Sequence, residues 1–300
     1  MPEGIEKFTH HTIRQQKKDG SFKTRELMIP SDEVRDEHQK MLNILYSWDI
    51  PMPHATGAVP GKTLLDNAKP HRYSSRFYLM DFKDAYQNVD IEALIETVRS
   101  PLTPKRYHDM LENFIRSTAT SEEVPGLPLG APCSPFLFNL YCVPMDRELS
   151  AFCKGRAIQY TRYLDDLTFS SDRVMGKKLR KKLREIIGRQ SSIAINHRKN
   201  RVHSIGNGPV TITGIAIQPD GRMQPTPEFF ETARDVFEGV DLLRNSDGHL
   251  SEEDEGRLHG YHGALHQMTS QETPTVREFD TLYKRALGKG ALVSVLKTNT

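Results

Sequence analysis

The sequence predicts an α+β fold in which strands gather around a buried helix, followed by a small helical part toward the C-terminal end. Three observations carry that expectation. Two apolar, β-prone runs, FYLMDF at 77–82 and YTRYLDDLTFSS at 160–171, read as strands, the second as a hairpin. Between them FLFNLYCVPMDREL, 136–149, is long and apolar on nearly every side, as a largely buried helix should be. From Pro225 the pattern turns helical and the charge turns acidic, with ten Asp/Glu against two Arg between Glu228 and Glu255.

In chain order, the first 30 residues close in an extended stretch, TRELMIP, ended by Pro30. Ser31, followed at once by Asp32 and Glu33, reads as the N-cap of a helix whose apolar face runs through Met41, Leu42 and Leu45. The Pro/Gly-rich segment PMPHATGAVPGKT separates it from a second helix near Leu64 to His71. An amphipathic helix is expected around Ile91 to Val98, and Pro144 is the point at which the long apolar helix would kink. RVMGKKLRKKLREIIGRQ places Leu179, Leu183, Ile186 and Ile187 on one helical face and its bases elsewhere. Two short strands are expected to bracket Gly206 to Gly208, and Pro209 to Ile217 reads as one strand.

Composition bounds the function. With 300 residues, 37% hydrophobic and 27% charged, the chain can bury a substantial core. No apolar run approaches the roughly 20 residues that cross a bilayer, and the start MPEGIEKFTHH lacks a secretory layout. Three cysteines without a CxxC pair predict buried, reduced thiols in a cytoplasmic protein, not a disulfide framework or a cysteine zinc site. Net charge is only +2, yet Lys154 to Arg201 holds 14 Lys/Arg against four Asp/Glu. That stretch is either a track for a polyanion or an ordinary solvated helix face.

Two of those four acids are the neighbours Asp165 and Asp166, at the expected hairpin turn. Adjacent like charges repel, so a folded context must offset them with something cationic. Asp81 follows FYLM at the carboxyl end of an apolar strand, where an acid is costly unless it has a task. Carboxylates at the ends of neighbouring strands, beside a basic groove, are what two divalent cations in nucleotidyl transfer require.

At this point the chain resembles the reverse transcriptase family. FYLMDFKDAY is similar to the first palm motif, GLPLGAPCSPFLFN to the second, and YTRYLDDLTF to the YxDD motif; INHRKNRV resembles the lysine-bearing motif and ITGIAI the entry to the primer grip. Upstream, DGSFKTRELMIP and Gln39 resemble the fingers motifs, so the likeness runs in family order over roughly residues 15 to 220. It implies a right-hand polymerase fold, with fingers and palm over 1–224 and a helical, RNA-binding thumb over 225–300. It further implies that Asp81, Asp165 and Asp166 hold two Mg²⁺ ions, with the Phe82 carbonyl as a further oxygen. Lys23 and Arg25 would clamp the triphosphate of a dNTP, and Lys199 would lie near the leaving pyrophosphate. Gly130 and Ser134 would lie in the loop packed on the nascent base pair, and Tyr86 would be the steric gate against ribonucleotides; read from the residues alone, Ser134 is equally a helix N-cap. Two positions depart from the usual pattern: Leu129 replaces the glutamine of LPQG, and Leu164 fills the variable place of YxDD.

Within that family, Asn67-Ala68-Lys69-Pro70-His71 matches the NAxxH element of bacterial retron enzymes, and Thr213-Gly214 sits where they carry VTG, with Ile212 replacing valine. The chain's length also argues against fused maturase, integrase or ribonuclease H domains. The resemblance implies RNA binding through Asn67, His71, Thr213 and Gly214, and a structured noncoding RNA as template and primer. It also implies a branched RNA-linked DNA product and a separate effector protein in an antiphage system. The alternatives are another bacterial reverse transcriptase of abortive-infection, diversity-generating or CRISPR-associated type, a two-metal nuclease, or an inactive RNA-binding scaffold.

Overall fold

A computed structural model of the protein describes residues 7–16, 22–48, 50–247, 250–269 and 273–288. The chain divides into two compact units, Met1–Lys62 with Ser74–His203, and Thr63–Tyr73 with Ser204–Thr300. The compositional break at Pro225 therefore falls inside the second unit, which also takes in 204–224 and a short segment from far upstream.

In the first unit, β1 (Phe8–Gln16) and β2 (Phe22–Pro30) form an antiparallel ribbon in register from Phe8↔Pro30 to Gln16↔Phe22. β2 is the expected extended stretch. β1 carries no comparable apolar signal, because its side chains from Thr9 to Arg14 are exposed. α1 (Asp32–Tyr46) starts where Ser31 Oγ accepts a hydrogen bond from Val34 N, and it buries Val34, Met41, Leu42 and Leu45.

The central sheet is built from β3 (Arg76–Asp81), β4 (Gln159–Tyr163), β5 (Asp166–Ser171) and β6 (Arg201–Ser204), in the order β4-β5-β3-β6. Its apolar side chains join one core with α3 (Ile91–Arg99), α4 (His108–Phe114), α5 (Ser134–Lys154) and α6 (Lys177–Gln190). α5 is the long apolar helix, and it runs through Pro144 as a single 21-residue element. Buried His38 pins α1 to its head: Cys133 N donates to His38 Nδ1 at 3.2 Å. The cysteines Cys133, Cys142 and Cys153 are free and buried, and burial pushes each thiol up to about 12. None is a nucleophile near neutral pH.

The second unit contains α2 (Leu64–Ala68), which continues into a 3-10 turn over Lys69–His71, and the antiparallel sheet β7 (Val210–Ile212), β8 (Ile215–Ile217) and β9 (Met223–Pro225). Helices α7 (Pro227–Asp247), α8 (Glu252–Met268) and α9 (Pro274–Ala286) share a core of Ala233, Phe237, Leu258, Leu265, Val276 and Phe279. One expectation needs correction: 209–217 is not one strand but a hairpin, with Ile212 paired to Ile215 across Thr213 and Gly214. Both turn residues have positive φ, 44° and 84°, the signature of a type I′ turn. Such turns are usually signalled by Asn-Gly or Asp-Gly; Thr-Gly hides one, because a β-branched residue is strained there. No helix among the described residues is long and apolar enough to cross a membrane.

His71 is fully buried, and burial lowers its imidazole to about 3. The ring is thus neutral in the fold at all ordinary pH values, whereas the unfolded chain takes up a proton below about 6.5. Its stabilising share is complete above pH 6.5 and is lost as pH falls toward 3, by about 1.4 kcal/mol per pH unit. Replacing His71 by Gln is expected to flatten the acid limb of the stability curve, leaving a difference of about 2 kcal/mol less acid loss at pH 5 than in the parent chain. Denaturant unfolding at pH 7 and pH 5 measures this, and equal acid loss in both proteins would refute it.

Candidate active site

The pairing of three strands brings the acids together. β3 and β5 run antiparallel with Asp81 opposite Asp166, and Tyr163 pairs with Asp166, leaving Leu164-Asp165 as a two-residue turn. Residues directly opposed in such a ladder have Cα atoms about 4.5–5.5 Å apart. Phe82 N donates to Asp165 O at 3.1 Å, which ties the turn to the end of β3. Three carboxylates thus share one corner. Burial, and then the neighbouring Asp165 and Asp81, push the Asp166 carboxyl up to about 6.

The opposite charge comes from the segment after α6. Asn196 N donates to Asp81 O at 2.7 Å, and Lys83 N donates to Ala194 O at 2.8 Å, laying INHRKN along the end of β3. Asn196 Nδ2 then donates to Asp81 Oδ2 at 3.1 Å, and Lys199 Nζ stands 2.8 Å from the same oxygen. Asp81 is only 7% exposed, and these two donors meet its carboxylate where a buried acid most needs partners.

A cleft of about 770 Å³ opens over this corner, lined by Arg25 of β2, Asp81, Phe82, Tyr86, Leu129, Leu164, Asp165 and Lys199. An adjoining hollow of about 360 Å³ shares Arg25, Asp81, Asp165 and Lys199, and adds Asp166 and Arg201. The Tyr86 ring lies 5.1 Å from that of Phe138, and burial and the Asp165 charge raise its phenol above the usual value. Gly126 passes so close to the Tyr86 carbonyl that a Cβ would stand 2.5 Å from it, and Leu127 N donates to that carbonyl. The 128–134 loop docks on β2 through Met28 N, which donates to Leu129 O at 2.7 Å. Gly130, at φ 115°, leaves no room there for a side chain.

Some expected residues stand elsewhere. Ser134 is buried and its hydroxyl donates to Pro128 O at 2.7 Å, while Cys133 holds the N-cap position; Ser134 closes the loop on itself instead of capping α5 or facing the cleft. The Lys23 backbone is in β2, but its side chain lies outside the described residues. Asn67, His71, Thr213 and Gly214 belong to the second unit. There Asn67 and His71 are fully buried, and Asn67 Nδ2 donates to Thr213 Oγ1 at 3.1 Å.

The sequence reading missed what orients the hairpin. Arg162 is 0% exposed, and its guanidinium donates to both Asp146 carboxylate oxygens (Nη2 to Oδ2 2.6 Å, Nε to Oδ1 3.0 Å). Its Nη1 donates to Asn139 Oδ1 at 2.9 Å and to Leu164 O, inside the acidic turn, at 3.0 Å. Leu164 has φ 52°, a strained conformation for a residue with a side chain. Gly57 lies directly under it: a Cβ there would stand 2.8 Å from Leu164 Cγ. Asn139 Nδ2 donates to Gly57 O at 2.8 Å, closing the circuit. The resulting donor set is oxygen only, negatively charged and partly buried, which fits a hard divalent cation.

The profile of the reverse transcriptase (RNA-dependent DNA polymerase) family matches residues 15–221. The chain is 30% identical over 203 residues to the Retron Ec83 reverse transcriptase of Escherichia coli, covering 65% of this chain and 64% of that protein. It is 28% identical over 207 residues to the Retron Mx65 reverse transcriptase of Myxococcus xanthus, covering 64% and 47%. The chain therefore spans less than two thirds of the length of these relatives. Among solved structures, apo telomerase from Candida tropicalis matches with TM-score 0.53 at 13% identity, over 97% of this chain and 63% of that one, a likeness of fold.

Replacing Arg162 by Met leaves the Asp146 carboxylate buried without its counter-charge. Loss of about 3–5 kcal/mol of folding stability is expected, with part of it recovered by adding Asp146→Leu. Chemical denaturation of the three proteins checks this; a loss below about 1 kcal/mol in the single variant would mean that the pair does not hold the hairpin.

Proposed function

The chain belongs to the reverse transcriptase family, and from that premise we propose that it is an RNA-directed DNA polymerase of the retron kind. We propose that it copies part of a structured noncoding RNA into DNA branched from that RNA. The observation that carries the polymerase reading is the convergence of Asp81, Asp165 and Asp166 in one cleft with Arg25 and Lys199. The likeness to retron enzymes supports the finer assignment.

On this reading the three aspartates, with the Phe82 carbonyl, would hold two Mg²⁺ ions. Bound there, the ions supply activation of the attacking 3′-oxygen and neutralisation of the triphosphate. Arg25, and Lys23 beside it in sequence, bind the phosphates of the dNTP and offset charge that builds during displacement. Lys199 neutralises Asp81, and its ammonium is also near enough to the cleft to meet the departing pyrophosphate. Tyr86, backed by Phe138 and by the 126–127 backbone, presents a ring beneath the sugar that excludes a 2′-hydroxyl. Gly130 and Ser134 act through the shape of their loop. The strands and helices over 1–224 serve as fingers and palm, and 225–300 as a thumb that grips RNA by its backbone and shape. Asn67 acts from inside, through its bond to the Thr213-Gly214 turn that meets the RNA, and His71 is buried in the same upstream segment. A separate effector protein would complete an antiphage system.

Asp166→Ala is expected to reduce DNA synthesis by roughly 10³-fold or more while RNA affinity is unchanged, because the acid meets ions and not template. Primer extension with Mg²⁺ alongside a filter-binding measurement checks this, and near-parental extension would remove the acids from the active site. The retron assignment has its own assay. Protein purified with its native operon RNA should yield DNA joined to that RNA by a bond that a 2′–5′ debranching enzyme cuts. DNA with a free 5′ end, or attached to the protein, would point to one of the other bacterial types.

Tyr86→Ala should lower the preference for dATP over ATP by roughly tenfold or more, with dATP incorporation itself falling less. Single-nucleotide extension with each substrate measures the ratio. Unchanged discrimination would make Tyr86 a packing residue only.

A further inference from the structure

We propose that His262, His266 and Asp280 form a binding site for a divalent transition-metal ion, with zinc as its first candidate, separate from the carboxylate cleft. His262 and His266 stand one turn apart on the same side of α8, and Asp280 faces them from α9. His262 Nε2 lies 2.8 Å from Asp280 Oδ1, His266 Nε2 lies 2.9 Å from the same oxygen, and the two Nε2 atoms are 3.2 Å apart.

A single Asp280 oxygen can accept from both rings, but no one protonation pattern makes all three approaches favourable at once. If both rings carry a proton at Nε2, the two N–H groups crowd each other over one oxygen. If either ring lacks it, that ring turns a lone pair toward a carboxylate. A metal ion reverses the argument, since three lone pairs converging on one point is what it requires. Bonds of about 2.0–2.1 Å give ligand-to-ligand edges of about 3.3 Å in a tetrahedral site; the 3.2 Å edge between the two Nε2 atoms matches that value, and the two shorter edges to Asp280 would open by about 0.4–0.5 Å on binding.

One of the two rings is also held in place. His262 stacks on Tyr283 with centroids 3.7 Å apart and planes 6° apart, and the Tyr283 hydroxyl lies 2.6 Å from His259 Nδ1. The stack restricts the plane of the His262 imidazole, a role that outer partners play at metal sites. The side chains of His262, His266 and Asp280 are 23%, 48% and 24% exposed, so an ion can enter and a water can complete the shell. Two imidazoles and a single carboxylate suit zinc and its transition-metal neighbours, whereas magnesium prefers oxygen alone. A bound ion would cross-link α8 to α9, which the chain connects only through residues 269–273.

The test uses the full chain, stripped by chelator and titrated with ZnCl₂ in excess Mg²⁺, so that the cleft carboxylates are occupied. One equivalent of zinc is expected by competition with a chromophoric chelator, with a rise in Tm. His266→Gln and Asp280→Asn should each weaken binding by at least about tenfold, the effect already expected of an outer partner, and remove the rise in Tm. Asp81→Asn should retain the zinc. His266 is half exposed, so its replacement leaves the fold intact. Failure of the parent chain to bind zinc, or equal binding by His266→Gln and Asp280→Asn, would overturn the proposal, whatever the outcome of the polymerase assays.

Discussion

A buried guanidinium governs the geometry of the acidic corner. Arg162 has no exposed surface, and moving such a charge out of water costs several kcal/mol unless each of its donors meets an acceptor. Asp146 supplies the counter-charge that keeps the arginine protonated against that cost, and it also accepts from the Tyr160 hydroxyl at 2.7 Å. The two Nη1 donors go to Asn139 on α5 and to the Leu164 carbonyl. The arginine therefore has one arrangement that satisfies it, and that arrangement sets where the β4–β5 turn lies relative to α5. A lysine could not do this, since it lacks the planar fork that serves a carboxylate and a carbonyl at once.

With the turn so held, strain and repulsion become tolerable. Leu164 adopts a left-handed backbone that an unrestrained leucine would leave, and Asp165 and Asp166 follow within three residues of the end of Arg162's own strand. Each conflict is offset by a specific neighbour: Gly57 gives the turn room, Phe82 N binds the Asp165 carbonyl, and Asn196 with Lys199 balances Asp81. Corners of this sort are costly in isolation and persist where the surroundings over-determine them, which is a mark of functional sites. The raised Asp166 carboxyl has the same origin, because burial and two acids leave charge that a divalent cation would relieve.

The acids were legible in the sequence because strand periodicity frames them: FYLM and LTFS are apolar runs, and an acid at the end of either has few roles. The device that aims them was not. In YTRYLDD, Arg162 looks like the outward residue of an alternating strand, and Asp146 like the polar face of a helix sixteen residues earlier. Neither local pattern reports that the two meet. Gly57 is silent for the same reason, since a glycine in PMPHATGAVPG reads as loop chemistry until the Leu164 side chain is placed above it. Ser134 shows the opposite error. A serine at the head of a long helix has a strong local role as a cap, and here the tight 128–134 loop gives its hydroxyl a nearer acceptor. The 209–217 hairpin was hidden because its turn residue is one that seldom accepts positive φ.

That last turn bears on how a motif proposed to recognise RNA can be buried. Thr213 is held by the Asn67 amide, from 146 residues upstream. Gly214 accepts at its carbonyl from Thr226 N and lies close under Met268, where a Cβ would stand 3.3 Å from the methyl. Three elements of the second unit therefore converge on two residues, enough to stabilise a conformation that costs of order 1–3 kcal/mol by itself. A turn fixed in this way holds one geometry before any partner arrives, so less ordering entropy is lost on binding. On the proposed reading, the two halves of the retron-like signature are then one device and not two contacts. Asn67 supports from within, Thr213 and Gly214 are half-buried, and the sequence separation between them reflects only the path of the chain. The burial of Asn67 and His71 is accordingly compatible with RNA recognition, provided that recognition is by the shape of the turn and not by the Asn67 and His71 side chains.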